Sequence, residues 1–239
     1  MHWWWSGCGH DRRARLIQAL SSREPAAAFF DIDGTLLSVN SASHYARYLR
    51  KKGIGRRRDL LRAGFYLALY RLGRLDIAKA AESAGGGIRG KTESEVAAFA
   101  ERWYREEIRE HIVPLIQERL EQHRAAGHAI ALLSSTTSYL AEPLSRDLDV
   151  EDLLVTRLEI EAGRFTGRAI APICYGEGKI TYAREYLAAR EIPLENTYFY
   201  TDSITDLPLL ELVGFPQIVA PDRLLRRKAR TNRWPIIDP

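Results

Sequence analysis

The hydrophobic pattern of the chain alternates between short apolar runs and longer amphipathic segments. Four short runs have the length and continuous hydrophobicity typical of strands buried in a parallel sheet, and they lie at 26–30, 129–133, 197–200 and 217–220. The segments between them carry apolar residues at helical spacing. Strands that alternate with helices in this way predict an α/β fold, with a parallel sheet flanked by helices.

A long block from 41 to about 110 shows only helical patterns. Its helices are predicted at 41–53, 60–73, 76–84 and 92–108. The first has candidate serine caps at its start, and the last opens with Thr92 and Glu95 at the spacing of a capping box. Because the block contains no predicted strand and is longer than a crossover needs, we interpret it as an insertion after the first strand.

The remaining segments complete the predicted fold. The stretch 155–170 alternates polar and apolar residues around Ala162 and Gly163, which predicts a small β-hairpin. In residues 1–24, three tryptophans precede the arginines, the reverse of a secretory signal, so we interpret this segment as an appended arm. A membrane-surface or partner anchor is the alternative. Further helices are predicted at 112–126, 176–190, 206–214 and 222–230.

Composition and charge restrict the function classes. The chain has 239 residues, of which 46% are hydrophobic, with 35 basic and 31 acidic residues and a net charge of +4. This mild excess suits an anionic small substrate but does not argue for nucleic acid.

Cys8 and Cys174 have no metal-ligand spacing, so we expect no disulfide framework or zinc site, and a reducing, cytoplasmic location fits. No apolar run reaches the roughly 18 residues of a membrane span, so no membrane partner is expected. The sequence does not indicate an oligomeric state.

Polar residues follow three of the predicted strands. Asp31, Ser134 and Asp202 each stand where a buried run ends. Ligands of open parallel sheets bind outside the carboxyl ends of the strands. If these three strands are neighbours, their polar residues converge on one crevice.

The residue types at these positions suit a metal and a phosphate group. Asp31 and Asp33 are two residues apart, and Asp202 and Asp206 are four apart. Carboxylates that crowd in a dry crevice need a cation, and carboxylates with a backbone carbonyl form a hard oxygen site that suits Mg²⁺. Gly34 allows a sharp turn with free backbone N–H groups. A hydroxyl from Ser134 and a positive charge from Lys179 would complete a cradle for phosphate.

Together these residues resemble the four motifs of haloacid dehalogenase-like phosphohydrolases. The first motif is similar to residues 29–36 (FFDIDGTL), the second to Ser134, the third to Lys179 and the fourth to residues 202–206 (DSITD). The order and spacing agree over about 26–235. The match extends to the phosphoserine-phosphatase-like branch, which has a helical cap inserted after the first strand.

The resemblance implies a domain organisation. An N-terminal arm would cover 1–24, a Rossmann-like hydrolase core would cover 25–40 and 112–239, and an all-helical cap would cover 41–111. It also implies a phosphatase that acts on a small phosphorylated substrate, with Asp31 as nucleophile and Asp33 as general acid and base. Mg²⁺ would be held by Asp31, the Asp33 carbonyl and Asp202.

Other residues would have accessory roles in such a site. Ser134, Ser135 and Lys179 would bind the phosphoryl oxygens. Supporting residues would be Asp206, Gly34 and Thr35, and candidates for substrate specificity would be Asn40, His44 and Tyr45. A role of His44 and Tyr45 in the core of the cap is the alternative.

The substrate itself stays open. Phosphoserine phosphatases of this branch carry a glutamate nine residues after the nucleophile, where this chain has Asn40. A neutral amide pairs poorly with an ammonium group, which argues against phosphoserine but does not exclude an amino alcohol phosphate such as histidinol phosphate. Two further alternatives are a catalytically silent, cap-mediated binding protein and phosphoryl transfer to an acceptor other than water.

Overall fold

The computed structural model describes residues 26–53 and 87–239. The predicted arm at 1–24 and the predicted helices at 60–73 and 76–84 lie outside the described residues. None of the described helices combines the length and the hydrophobicity that a membrane-spanning helix needs. The division into arm, core and cap stays a prediction.

A parallel sheet forms the centre of the described structure. Its strands and those of a hairpin are β1 (Ala27–Phe30), β2 (Ala129–Thr137), β3 (Asp152–Thr156), β4 (Leu158–Glu161), β5 (Arg164–Ala169), β6 (Thr197–Thr201), β7 (Phe215–Val219) and β8 (Ile236–Ile237). The sheet has six strands in the order β3-β2-β1-β6-β7-β8, and all of its pairs are parallel. The predicted α/β class is therefore confirmed.

The register places the three strand ends that carry candidate site residues side by side. Phe30 at the end of β1 pairs with Leu132 on one side and with Tyr200 on the other. Successive side chains of a strand point to opposite faces, so Phe30 joins one buried hydrophobic cluster and Phe29 joins another. The central strand is thus buried on both faces, and its carboxyl end opens between those of β2 and β6.

Seven α-helices are described around the sheet and in the inserted block. They are α1 (Ser41–Lys51), α2 (Glu93–Trp103), α3 (Pro114–Ala125), α4 (Ser138–Asp147), α5 (Glu177–Ala188), α6 (Leu207–Leu210) and α7 (Arg223–Asn232). The capping box of α2 is confirmed, because the Thr92 side chain accepts from the backbone of Glu95 while the Glu95 side chain accepts from the backbone of Thr92. After α2 the chain continues as a π-helical turn at Tyr104–Ile108.

The predicted insertion leaves and rejoins the sheet domain at adjacent points. Leu37 forms a bridge with Ile112, and the Ser38 N–H donates to the His111 carbonyl at 2.9 Å. Within the block, the Tyr45 ring packs edge-on against Trp103. The segment that enters the inserted block and the segment that leaves it therefore lie side by side, near the end of β1.

Several details of local structure differ from the predictions. The predicted hairpin segment begins inside β3, because the apolar residues of this strand run directly into the alternating segment; the hairpin consists only of β4 and β5. The sequence pattern does not predict α4, because Pro143 inside it weakens the helical signal. The N-cap of α1 is Asn40 and not a serine, since the Asn40 side chain accepts from the Ser43 backbone. Strand β8 has only two residues and is too short to produce a pattern.

Candidate active site

Asp31 occupies the centre of the candidate site. Its backbone N–H donates to the Tyr200 carbonyl at 2.9 Å, which fixes it directly after β1, and the residue is only 2% exposed. Burial raises the pKa of its carboxyl, while the positive charge of Lys179 and a hydrogen bond from Ser134 act in the opposite direction. The folded chain therefore holds a carboxylate where its charge is poorly solvated.

A buried lysine neutralises part of the charge around Asp31. The Lys179 Nζ lies 2.7 Å from Asp206 Oδ2 and 3.2 Å from Asp31 Oδ1. Thr201 donates to the same Asp206 oxygen at 2.6 Å. Burial lowers the pKa of Lys179, but the carboxylates of Asp206 and Asp31 outweigh it, so that the pKa is raised. Lys179 is thus a fixed positive charge, and Asp206 is the group that holds it in place.

Asp33 is held by three donors at the start of the inserted block. The Ser41 backbone N–H donates to Asp33 Oδ1 at 2.9 Å, and the Ser41 hydroxyl donates to Oδ2 at 3.0 Å. The Asn40 amide donates to Oδ2 at 3.2 Å. Burial raises the pKa of Asp33 to about 7, although the bonds from Ser41 lower it. This carboxyl can therefore gain and lose a proton near neutral pH.

Asp202 packs against a glycine that follows the first strand. Gly34 has a φ of +74°, and a Cβ on it would lie 2.3 Å from Asp202 Oδ2. Burial and the charges of Asp31 and Asp206 raise the pKa of Asp202 well above its usual range. The glycine is required for both its backbone conformation and the close approach of this carboxylate.

The donor set fits a hard divalent cation. Within the described part of the chain, Asp31 Oδ1 and Asp202 Oδ1 are buried without a hydrogen-bond partner. Lys179 lies near Asp31 Oδ1, but this contact is an ion pair that lacks hydrogen-bond geometry. Buried carboxylate oxygens are costly unless a cation or donor satisfies them, and Mg²⁺ prefers oxygen ligands. Across 26–53 and 87–239, no three His, Cys, Asp or Glu side chains group closely enough to hold a metal by themselves. The expected set needs only two side chains, together with the Asp33 carbonyl and water.

The other expected phosphate ligands lie near the same strand ends. Ser134 is 1% exposed and contacts Asp31. Ser135 is half-buried, and its carbonyl accepts from Thr156 at 3.0 Å. The Thr35 hydroxyl is buried and has no hydrogen-bond partner among the described residues. The structure thus brings Ser134 to Asp31, whereas Ser135 and Thr35 each follow by one residue a residue of the site, Ser134 and Gly34 respectively. The roles of these residues in binding phosphate stay predictions.

The three expected specificity residues have different surroundings. Asn40 contacts Asp33 directly, as described above. The His44 ring lies 5.0 Å from the His111 ring, and Tyr45 packs on aromatic residues of α2. The ring contacts of His44 and Tyr45 are therefore with other parts of the inserted block. Their role in specificity stays a prediction.

Sequence reasoning missed Ser41 and Thr136 as parts of this site. The Ser41 hydroxyl lies 2.9 Å from the Thr136 hydroxyl, and both residues are buried. Serines at a helix start are ordinary caps, so nothing in the pattern distinguished Ser41. The contact joins positions 95 residues apart, which only the folded chain shows.

Comparisons with known proteins agree with this geometry. The haloacid dehalogenase-like hydrolase family model matches residues 28–211. Phosphoserine phosphatase SerB1 of Mycobacterium tuberculosis is 35% identical over 240 residues, covering 95% of this chain and 77% of the relative. Histidinol-phosphatase of Neisseria meningitidis is 33% identical over 217 residues, covering 88% of this chain and 97% of the relative. A solved protein of unknown function from Bordetella pertussis Tohama I has 32% identity and a TM-score of 0.81, covering 90% of this chain and 98% of that one.

The chain belongs to the haloacid dehalogenase-like hydrolase family, in its phosphoserine-phosphatase-like branch, and is a phosphoric monoester hydrolase.

Proposed function

We propose that this hydrolase is a Mg²⁺-dependent phosphatase of a small phosphorylated metabolite, which works through a phosphorylated Asp31. The observation that carries the proposal is the buried Asp31 carboxylate, flanked by Lys179 at 3.2 Å and followed two residues later by a separately held carboxyl. A nucleophile, a fixed positive charge and a proton carrier at one crevice are what phosphoryl transfer requires.

The reaction would proceed in two displacements at phosphorus. In the first, an Asp31 oxygen bonds to phosphorus while the bond to the ester oxygen breaks, and Asp33 gives its proton to that oxygen. In the second, water attacks the phosphorus of the Asp31 phosphate, Asp33 takes the proton from this water, and the bond to Asp31 breaks. The products are an alcohol and inorganic phosphate, and both carboxyls return to their starting forms.

The residues that would hold Mg²⁺ are Asp31, Asp202 and the Asp33 carbonyl. When bound, the ion would offset the repulsion between the anionic nucleophile and the anionic phosphate. Lys179 and Ser134 would bind phosphoryl oxygens, since both contact Asp31. Asp206 would keep Lys179 in place through the 2.7 Å ion pair.

The substrate class is an alkyl phosphate carried by an amino acid or an amino alcohol. The two relatives described above are named for phosphoserine and histidinol phosphate, and these are the first candidates. Asn40 is a neutral amide whose nitrogen bonds Asp33 and whose oxygen caps α1, so it offers no negative charge to a substrate ammonium. Recognition of such an ammonium would depend on other groups of the inserted block.

A panel of phosphorylated metabolites with Mg²⁺, measured by released phosphate, tests this proposal. We expect turnover of at least one alkyl phosphate, its loss on chelation, and its loss in Asp31→Asn. Asp149→Asn, at an exposed position just after α4 whose positive φ asparagine also adopts, is the matched control and should keep the activity. Full activity of Asp31→Asn would exclude the proposed nucleophile. No turnover of any compound would favour a catalytically silent binding protein instead.

A further inference from the structure

The start of helix α1 forms a chain of hydrogen bonds that ends on Asp33. The Ser41 backbone N–H and hydroxyl reach both oxygens of the Asp33 carboxyl, at 2.9 and 3.0 Å. The same hydroxyl lies 2.9 Å from the Thr136 hydroxyl at the end of β2. Ser41 is 2% exposed and Thr136 is 8% exposed, so water does not compete strongly for these groups.

This chain of bonds joins the inserted block to the sheet. Ser41 is the first residue of α1, where the block begins, whereas Thr136 belongs to β2 in the sheet. Asp33 itself lies on the turn after β1. Any shift of α1 relative to the sheet would therefore change the bonds that hold the Asp33 carboxyl.

We propose that Ser41 is a positioning residue, which fixes the Asp33 carboxyl for proton transfer and is itself fixed by Thr136. The inference rests on the proposed role of Asp33 as general acid and base. A serine hydroxyl both donates and accepts, so Ser41 can hold the carboxyl with or without its proton, while the Thr136 hydroxyl supplies or accepts the second bond. Ser41 does not react; it restricts the orientation of the group that does.

The nature of the leaving group separates this role from a merely structural one. An alkoxide is a poor leaving group and needs a proton from Asp33, whereas 4-nitrophenolate leaves without one. Loss of a hydrogen bond to a charged group corresponds to about a 10- to 100-fold effect. We therefore expect Ser41→Ala to lower kcat/KM for glycerol 2-phosphate about 10- to 100-fold, and that for 4-nitrophenyl phosphate less than about threefold.

A matched control lies on the same helix. Ser43→Ala removes an equal group from a side chain that does not bond Asp33, and it should keep both kcat/KM values. Thermal unfolding of each variant checks that the fold is retained. Equal losses on the two substrates, or Ser41→Ala behaving like Ser43→Ala, would overturn the proposal.

Asp33→Asn distinguishes this failure from failure of the proposed function. If Asp33→Asn loses far more kcat/KM on the alkyl than on the aryl phosphate and Ser41→Ala does not, only the positioning role is refuted. If the kcat/KM of Asp33→Asn falls equally on both substrates, the acid role of Asp33 is refuted first. Overall turnover is not used here, because the second displacement, in which Asp33 acts as base, is common to both substrates.

Thr136 provides a second and milder test. Thr136→Val removes the hydroxyl with little change in shape, whereas Thr136→Ser keeps it. We expect a severalfold alkyl-specific loss in the valine variant, none in the serine variant, and no added effect of Thr136→Val in a Ser41→Ala background. Additive losses in the double variant would show that the two hydroxyls act separately and would refute their coupling.

Discussion

Gly34→Ala tests the contact between the first strand end and Asp202. An alanine at a φ of +74° costs about 1–2 kcal/mol in backbone strain. Its methyl group would also lie 2.3 Å from Asp202 Oδ2, and overpacking of this kind costs about 1–3 kcal/mol more. The total loss of stability is thus about 2–5 kcal/mol, unless the Asp202 side chain swings away from the crevice.

Gly127→Ala separates the strain from the contact. Gly127 has a φ of +75°, but no atom of the described residues lies within 4 Å of the position that a Cβ would take there. Its alanine variant therefore carries only the backbone cost. Urea unfolding of both variants measures the difference, which should be about 1–3 kcal/mol.

Measurement of kcat/KM tests the case in which the Asp202 side chain moves aside and stability is kept. Misplacement of an active-site group by about 1 Å costs on the order of 100-fold in rate. Because Asp202 is a proposed Mg²⁺ ligand, kcat/KM of Gly34→Ala should fall by about that factor while Gly127→Ala stays near wild type. If the two variants had the same stability and the same kcat/KM, the close packing of Asp202 on Gly34 would have no role in the site.

Three further predictions concern charge and capping. Lys179→Met should lower the free energy of unfolding by about 3–5 kcal/mol, because it leaves buried carboxylates without their cation, and urea unfolding measures this. Burial lowers the pKa of His123 to about 3, so below pH 6.5 the unfolded chain binds a proton that the folded chain does not, and the free energy of unfolding falls by about 2 kcal/mol at pH 5. The difference in free energy of unfolding between wild type and His123→Gln should therefore change between pH 7 and pH 5, and a constant difference would contradict this. Asp222→Ala removes the acceptor for three backbone N–H groups of Ile204, Leu224 and Leu225 and should destabilise the chain by about 2 kcal/mol or more in thermal unfolding, whereas Asp222→Asn should lose less because it keeps an acceptor.

The positions of the buried strands along the chain, although not their order in the sheet, could be inferred from the sequence because hydrophobic runs and polar strand ends are local signals. Asp31, Ser134 and Asp202 each follow a buried run, and the parallel register then brings them together. The hairpin could also be predicted from a local signal, the alternation of polar and apolar residues around Ala162 and Gly163. Both residues adopt the positive φ values that a tight turn between twisted strands requires.

Contacts between distant segments could not be inferred. Strand β3 is only half-buried along its first three residues, so its apolar pattern merged with the hairpin that follows. Ser41 looked like a helix cap, but its hydroxyl bonds Asp33 while Asn40 serves as the cap. Both outcomes depend on the geometry of packing, which a pattern of residue types does not contain.

The charge balance of the site fits its position next to fully buried strands, β1 and β6. Asp31, Asp202 and Asp206 face one lysine, and burial raises the pKa of the first two, so the folded chain holds negative charge at a free-energy cost. The hydrophobic clusters on both faces of β1 supply stability that offsets this cost. The uncompensated charge is also what would attract a divalent cation and, with it, an anionic phosphate. Stability is therefore lowered at the same residues that the proposed chemistry needs.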